Sequence, residues 1–245
     1  MAGVPTLNLT SGGIGTVYGG GNAGDMTAQE TDDCTTSHSP LVINDNYVKY
    51  GTHVKTESPN ILIDYLYGGC QMSNVYYSTW VEVKGGHIGT VYGGCNISGD
   101  VGSTKINMNA PAFVGGVANI DYQKVYGAPY VVASGGTVYQ NIFAGSNGLY
   151  HCKSSDEVYY VSGINYVPGH SYVGLTVPTH NETYVIIKDN VLVKHNVYAG
   201  GNMASVGFPE EREAFPELVG LASVNMSGGT VDGNVFGGGN MASNL

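Results

Sequence analysis

Charge is scarce in this chain. Only 11% of its 245 residues are Asp, Glu, Lys or Arg, and a single arginine, Arg212, stands among glutamates. Nine cationic side chains face nineteen carboxylates, for a formal net charge of −10. Nucleic acids and anionic membrane surfaces both need clustered cations, so neither is an expected partner. No apolar run approaches the roughly 18–20 residues of a membrane-spanning helix, so no membrane insertion is expected. The first residues, Met1 to Pro5, have neither the basic start nor the apolar core of a signal peptide. On this reading the protein leaves the cell by another route, or the chain is a fragment without its leader. The four cysteines, Cys34, Cys70, Cys95 and Cys152, form no CxxC pair, which argues against zinc. The seven histidines show no HxxxH or HExxH spacing, and no glycine run leads into the Lys-Ser/Thr of a phosphate loop. The expectation is therefore no metal and no cofactor. Helical periodicity is missing as well.

What is abundant is glycine, 38 residues, and tyrosine, 19 residues. Glycine lacks the strict third-residue period of collagen, and the apolar content is too high for disorder. Both residue types recur inside one motif. An aliphatic residue precedes an aromatic anchor, two small residues follow it, and an amide stands four places after it. The anchors are Tyr18, Tyr67, Tyr92, Tyr126, Phe143, Tyr198 and Phe236. The amides are Asn22, Gln71, Asn96, Asn147, Asn202 and Asn240; the Tyr126 copy has Tyr130 instead. Upstream of several anchors lie a glycine turn, such as Ser134-Gly135-Gly136, and a short alternating stretch, such as Val81-Glu82-Val83.

Period-two alternation rich in Val, Ile, Thr and Tyr predicts short strands. Such strands bury no face alone, but stacked copies do, and self-similarity of this kind marks a solenoid. The expected fold is all-β: one parallel β-solenoid (β-helix) domain over 1–245. Equivalent residues of successive coils then lie about 4.8 Å apart, so aliphatics, aromatics and amides each form a ladder. Anchors are spaced 49, 25, 34, 17, 55 and 38 residues apart. The basic coil is read as about 17–25 residues, with Phe113-Val114-Gly115-Gly116 as a degenerate copy. Insertions are expected near 25–60, 150–183 and 203–222. The last holds Pro209 followed by acids, which suits a short helix near 209–216.

The stretch from Ser227 to Asn240 resembles the glycine-rich repeats of bacterial cell-surface and phage-tail parallel β-helix proteins, pectin-lyase-like in the broad sense. The likeness follows the anchors and leaves the insertions unexplained. It implies adhesins, tail spikes or fibres, and in some cases polysaccharide lyases or hydrolases. No catalytic motif of those enzymes maps onto this chain.

Several residues are candidates for chemistry. Cys70 and Cys95 replace the same glycine in two copies of the motif. In adjacent coils they are either two small buried thiols or a disulfide. Cys34 and Cys152 could pair across insertions. Asp25 and Asp100 follow the amide and suit turn caps better than calcium ligands. The carboxylate clusters Asp32-Asp33, Asp156-Glu157 and Glu210-Glu211-Glu213 read as solvated surface rather than a glycosidase pair. Aromatics outside the ladder, above all Tyr76, Tyr77, Trp80, Tyr159 and Tyr160, are candidate platforms for stacking on sugar rings.

Neither end of the repeat shows a capping helix, which fits a piece of a longer solenoid or subunits stacked end to end. The functional expectation is a non-catalytic, extracellular structural or adhesive protein of a cell surface or virion. Its expected partners are surface glycans or identical subunits. A self-assembling filament subunit and a β-helix lyase or hydrolase are the alternatives.

Overall fold

A strand that alternates inward and outward residues buries one face only and needs a second sheet to cover it. The chain meets this need by dealing its strands alternately into two parallel sheets. The computed structural model describes residues 5–24, 41–43, 46–48, 50–73, 75, 78–97, 101, 129–148, 152–154, 157–159, 182–204, 206 and 221–241. The first sheet contains β1 (Thr6–Leu9), β5 (Tyr50–Thr56), β7 (Ser78–Val83), β9 (Pro129–Ala133), β14 (Glu182–Ile187) and β17 (Leu221–Met226), in that spatial order and all parallel. The second contains β2 (Gly12–Tyr18), β6 (Ile61–Tyr67) and β8 (His87–Tyr92), followed by three pairs of two-residue strands. Those are β10 (Thr137–Val138) with β11 (Ile142–Phe143), β15 (Leu192–Val193) with β16 (Val197–Tyr198), and β18 (Thr230–Val231) with β19 (Val235–Phe236). Each first-sheet strand and the second-sheet strand or strands that follow it form one rung. Six rungs stack in sequence order.

Register turns the repeat into four inward columns. In the first sheet, Leu7, Val54, Val81, Val131, Val185 and Val224 align, as do Leu9, Thr56, Val83, Ala133, Ile187 and Met226. In the second, Ile14, Ile63, Ile88, Val138, Val193 and Val231 form one column, and Val17, Leu66, Val91, Ile142, Val197 and Val235 the other. Apart from Thr56 and the exposed Met226 and Val235 of the last rung, these residues form the main hydrophobic core or pack against it. Complete burial of such a side chain contributes about 1.5–3 kcal/mol, so the sandwiched columns dominate the stability.

Glycine shapes the turn between the sheets. Gly86 and Gly136 adopt φ of +100° and +76°, which only glycine takes without strain. A Cβ on Gly136 would also lie 2.5 Å from the Gly86 carbonyl oxygen below it. In the fifth rung the turn Lys188–Val191 is one residue longer than Ser134–Gly136, and Asp189 takes the left-handed conformation there (φ 56°).

The described residues contain strands and turns and no helix; the helix expected near 209–216 lies outside them. The limits expected for the insertions run into the sheet: β5 lies within 25–60, β14 begins at Glu182 and β17 at Leu221. Thr52 and Thr56 take inward positions of β5, so an aliphatic alternation never showed. Two antiparallel hairpins stand apart from the stack, β3–β4 (Leu41–Ile43, Asn46–Val48) and β12–β13 (Cys152–Ser154, Glu157–Tyr159). The readings of Tyr126 as an anchor and of Phe113–Gly116 as a degenerate coil lie outside the described residues. Within those residues β7 pairs directly with β9, and β8 with β10 and β11.

Candidate functional site

The anchors lie one residue past an inward aliphatic and therefore point away from the core. Tyr18, Tyr67, Tyr92, Phe143, Tyr198 and Phe236 form a single column of stacked rings. Successive centroids are 5.1, 4.7, 5.0, 4.7 and 4.8 Å apart, and no pair tilts by more than 12°. The spacing is the distance between hydrogen-bonded strands, so the backbone dictates the stacking. The four middle rings are buried. Burial, before any other cause, pushes the phenols of Tyr67 and Tyr92 far above the ordinary tyrosine range, so these two rings stay neutral.

Beside it runs an amide column. Asn147 Nδ2 donates to Asn96 Oδ1 at 2.9 Å, Asn202 Nδ2 to Asn147 Oδ1 at 2.9 Å, and Asn240 Nδ2 to Asn202 Oδ1 at 3.0 Å. Asn96 Nδ2 donates to the Tyr18 hydroxyl at 2.9 Å. The backbone follows the same ladder: Met72 N–H donates to Asn22 O, Ile97 N–H to Gln71 O, and Gly148 N–H to Asn96 O. Asn22 and Gln71 thus occupy the first two places of the series.

A second amide column, which the repeat reading missed, exists in the last three rungs. Asn196 N–H donates to Asn141 Oδ1 at 3.1 Å, and Asn234 N–H to Asn196 Oδ1 at 2.9 Å. The signal was an asparagine two places before the anchor: Asn141-Ile142-Phe143, Asn196-Val197-Tyr198 and Asn234-Val235-Phe236. Buried threonines tie the sheets within a rung. Thr52, Thr79 and Thr183 each donate Oγ1 to the carbonyl just after the anchor, on Gly68, Gly93 and Ala199, at 2.5 Å.

Cys70 and Cys95 are thiols in the structure and not a disulfide, which corrects that candidate pairing. Cys95 Sγ accepts the Cys70 N–H at 3.3 Å and faces Ser73 O at 3.4 Å. In the next rung Ser146 Oγ takes the same place, accepting the Cys95 N–H at 2.9 Å. The sulfur therefore serves as a hydrogen-bonding group in a column of small residues. With Val75 and Val101 the two cysteines form a small buried cluster.

The chain matches no protein-family model, no curated protein and no solved structure. Its surfaces must be read from their own chemistry.

Trp80 was expected as an exposed platform for sugars. It is 3% exposed, in the middle of the first sheet, packed with Tyr130, Val132 and Val206. Its ring lies 5.1 Å from that of Tyr130, which stacks in turn on Tyr184 at 4.7 Å. The outer face of this sheet carries a second hydrophobic layer, and Val206, which follows the fifth rung, helps to bury it. Trp80→Ala is therefore a test of stability, not of binding. Tyr76, Tyr77 and Tyr160 lie outside the described residues. Tyr159 ends the β13 strand, which pairs with β12 and with neither of the two large sheets. The structure does not bring Trp80 and Tyr159 into one described site. Cys34, Asp25, Asp100, Asp32-Asp33, Asp156 and Glu210-Glu211-Glu213 also fall outside the described residues. Cys152 and Glu157 lie on the β12–β13 hairpin.

Two polar groupings stand on the described surface. On the first sheet, Glu82 Oε2 lies 3.4 Å from His53 Nε2 and 3.3 Å from Lys84 Nζ. The hydrogen bond from His53 is the main reason its carboxyl is held down at about 2, with Lys84 adding to it against the opposing effect of burial. On the second sheet, His87 Nδ1 lies 3.0 Å from the Tyr139 hydroxyl, and Lys194 Nζ sits 4.8 Å over the Tyr139 ring. Among the described residues no three His, Cys, Asp or Glu side chains converge on a point that could hold a metal ion.

Proposed function

We propose that the chain is a parallel β-solenoid of structural or adhesive type, working extracellularly on a cell surface or virion. Binding, with glycans as the ligand class, runs through segments inserted at one edge. The observation that carries this reading is where the uneven lengths fall. The chain leaves each rung just past the amide column and re-enters at the aligned starts of β5, β7, β9, β14 and β17. Between these fixed columns the connection is as short as Met72–Tyr77 and as long as the stretches that precede β9 and β14. By contrast, the turn between the two sheets barely varies. A rigid ladder that tolerates any length at one edge is a display scaffold, and recognition concentrates on loops carried by such scaffolds. The extracellular placement rests on the resemblance of the repeat to surface and tail β-helix proteins.

The test shortens the connections one at a time to the length of Met72–Tyr77 and screens each variant on a glycan array. The expected result is retained β circular dichroism with loss of glycan binding in at least one variant. Undiminished binding in all of them, or no glycan binding by the parent protein, overturns the loop-display reading.

A further inference from the structure

The six described rungs make five junctions of the same kind, and the first and last of them present complementary faces of such a junction. Val235 and Phe236 are 48% and 40% exposed, while Val197 and Tyr198 one rung below are 0% and 7%. Met226, last in its inward column, is 48% exposed where Ile187 is fully buried. At the other end Leu7, Leu9 and Ile14 are only partly buried, and Tyr18 offers a ring face with no neighbour on the far side from Tyr67 among the described residues.

We infer that the last rung of one copy receives the first rung of a second copy of this chain, parallel and in register, so that copies stack head to tail. The inference rests on the solenoid reading proposed above. Three observations select a second copy as the occupant. First, the hydrogen-bonding polarity is complementary. Gly145 N–H donates to Gly200 O and Gly200 N–H to Gly238 O, so Gly238 N–H is aimed where Gly20 O of the next copy would lie. Asn202 N–H donates to Ser146 O and Asn240 N–H to Gly201 O, so Asn22 N–H would find Gly239 O of the previous copy. The side-chain amides repeat this, placing Asn22 Nδ2 over Asn240 Oδ1.

Second, the apolar columns continue: Tyr18 would stack on Phe236, and Val17 would cover Val235. Third, neither edge is defended. Natural edge strands are blunted with charge. Here residues 5–24 carry no charged side chain and residues 221–241 carry only Asp232, in a chain of net charge −10. The single mismatch, a straight rung meeting one with a corner, already occurs inside the molecule between β8 and β10–β11 with register kept on both arms. A heterologous contact of this kind does not close on itself and propagates as a fibre.

The experiment mixes two singly substituted chains, Asn22→Cys and Asn240→Cys, with a short bis-maleimide cross-linker, and compares a chain carrying Asn147→Cys and Asn202→Cys. Sedimentation and electron microscopy follow the parent protein over a concentration series. Expected are fibres one rung wide, a cross-link between the mixed chains, and an intramolecular cross-link in the interior pair. Phe236→Glu should raise the concentration needed for assembly by about tenfold or more, while the interior cross-link still forms. Monomers at every concentration with the interior cross-link intact overturn the head-to-tail contact and leave the solenoid standing. Oligomers that lack the 22–240 cross-link overturn it too. Loss of the interior cross-link as well overturns the solenoid reading itself.

Discussion

The first three rungs and the last three answer the same packing problem differently. In the first three, the second-sheet strand runs on from the turn between the sheets to the anchor, and one residue is passed over by the pairing: Gly15, Asp64 or Gly89. In the last three, the strand breaks in two around a corner, Tyr139-Gln140-Asn141, Lys194-His195-Asn196 or Asp232-Gly233-Asn234. The whole difference is one residue between two inward aliphatics. Ile88 and Val91 are three apart, and Val138 and Ile142 four. A corner turns backbone groups away from the strand ladder, and those groups need partners. Hence an asparagine precedes the aliphatic in rungs four to six, where rungs one to three have Thr16, Tyr65 and Thr90. The residue after the anchor also changes, from Gly19, Gly68 and Gly93 to Ala144 and Ala199 in rungs four and five, with glycine again at Gly237 in rung six. Small insertions in a stacked fold are thus absorbed by a new column rather than by distortion.

The largest effect should come from exchanging the residue after the anchor. A Cβ on Gly68 would lie 2.2 Å from the Gly93 carbonyl oxygen and 2.8 Å from a Val81 methyl carbon. Gly68→Ala should cost more than about 3 kcal/mol in urea unfolding, or abolish folding, because the obstacle is backbone. Next comes Asn196→Ala, which removes the acceptor of the Asn234 N–H and the side-chain donor to the Tyr198 hydroxyl. A loss of about 1–3 kcal/mol is expected, with hydrogen exchange faster across 192–198 and 230–236 and unchanged in rungs one to three. The reverse exchange in the second half, Ala144→Gly, should cost only about 1 kcal/mol, since no clash is involved. Equal costs for Gly68→Ala and Ala144→Gly would erase the distinction between the halves.

The smallest effect is acid lability confined to the first half. Glu82 is ionised down to about 2 against an ordinary 4.5, so its contribution is complete above the ordinary value. It is lost as pH falls from there through the folded value. Rungs four to six place Val132, Ile186 and Asn225, none of them ionisable, at this register. Hydrogen exchange between pH 4.5 and 2 should therefore rise first in β5 and β7, and Glu82→Gln should flatten that change. Exchange that rises evenly across all six rungs would show that His53 and Lys84 do not matter to Glu82.

Much of this architecture is local text. Aliphatic, aromatic, two small residues and an amide sit within six places, so the columns can be listed without knowing which rungs touch. All-β character and parallel pairing follow from the same repetition. What is not local is harder to see. Thr52, Thr79 and Thr183 look like polar strand residues until the sheets face each other and their hydroxyls find a carbonyl 14 or 16 residues on. Trp80 beside Tyr76 and Tyr77 looks like surface aromatics, because nothing in its own strand announces that Val206 comes back to cover it. The Asn141 series was spelled out, but it stands two places before the anchor and in only three of the rungs, so the amide four places after the anchor hid it. Cys70 and Cys95 share a place in the motif, which says that they are neighbours and not whether their sulfurs bond.

Because backbone donors of each rung meet acceptors of the next by the same atoms, removing or duplicating one whole rung leaves the surviving backbone ladder with partners of the former kind. The molecule works as a ruler with a tick of about 4.8 Å. Its reach can change by gene duplication in steps of a single turn of chain, without any redesign of the interior.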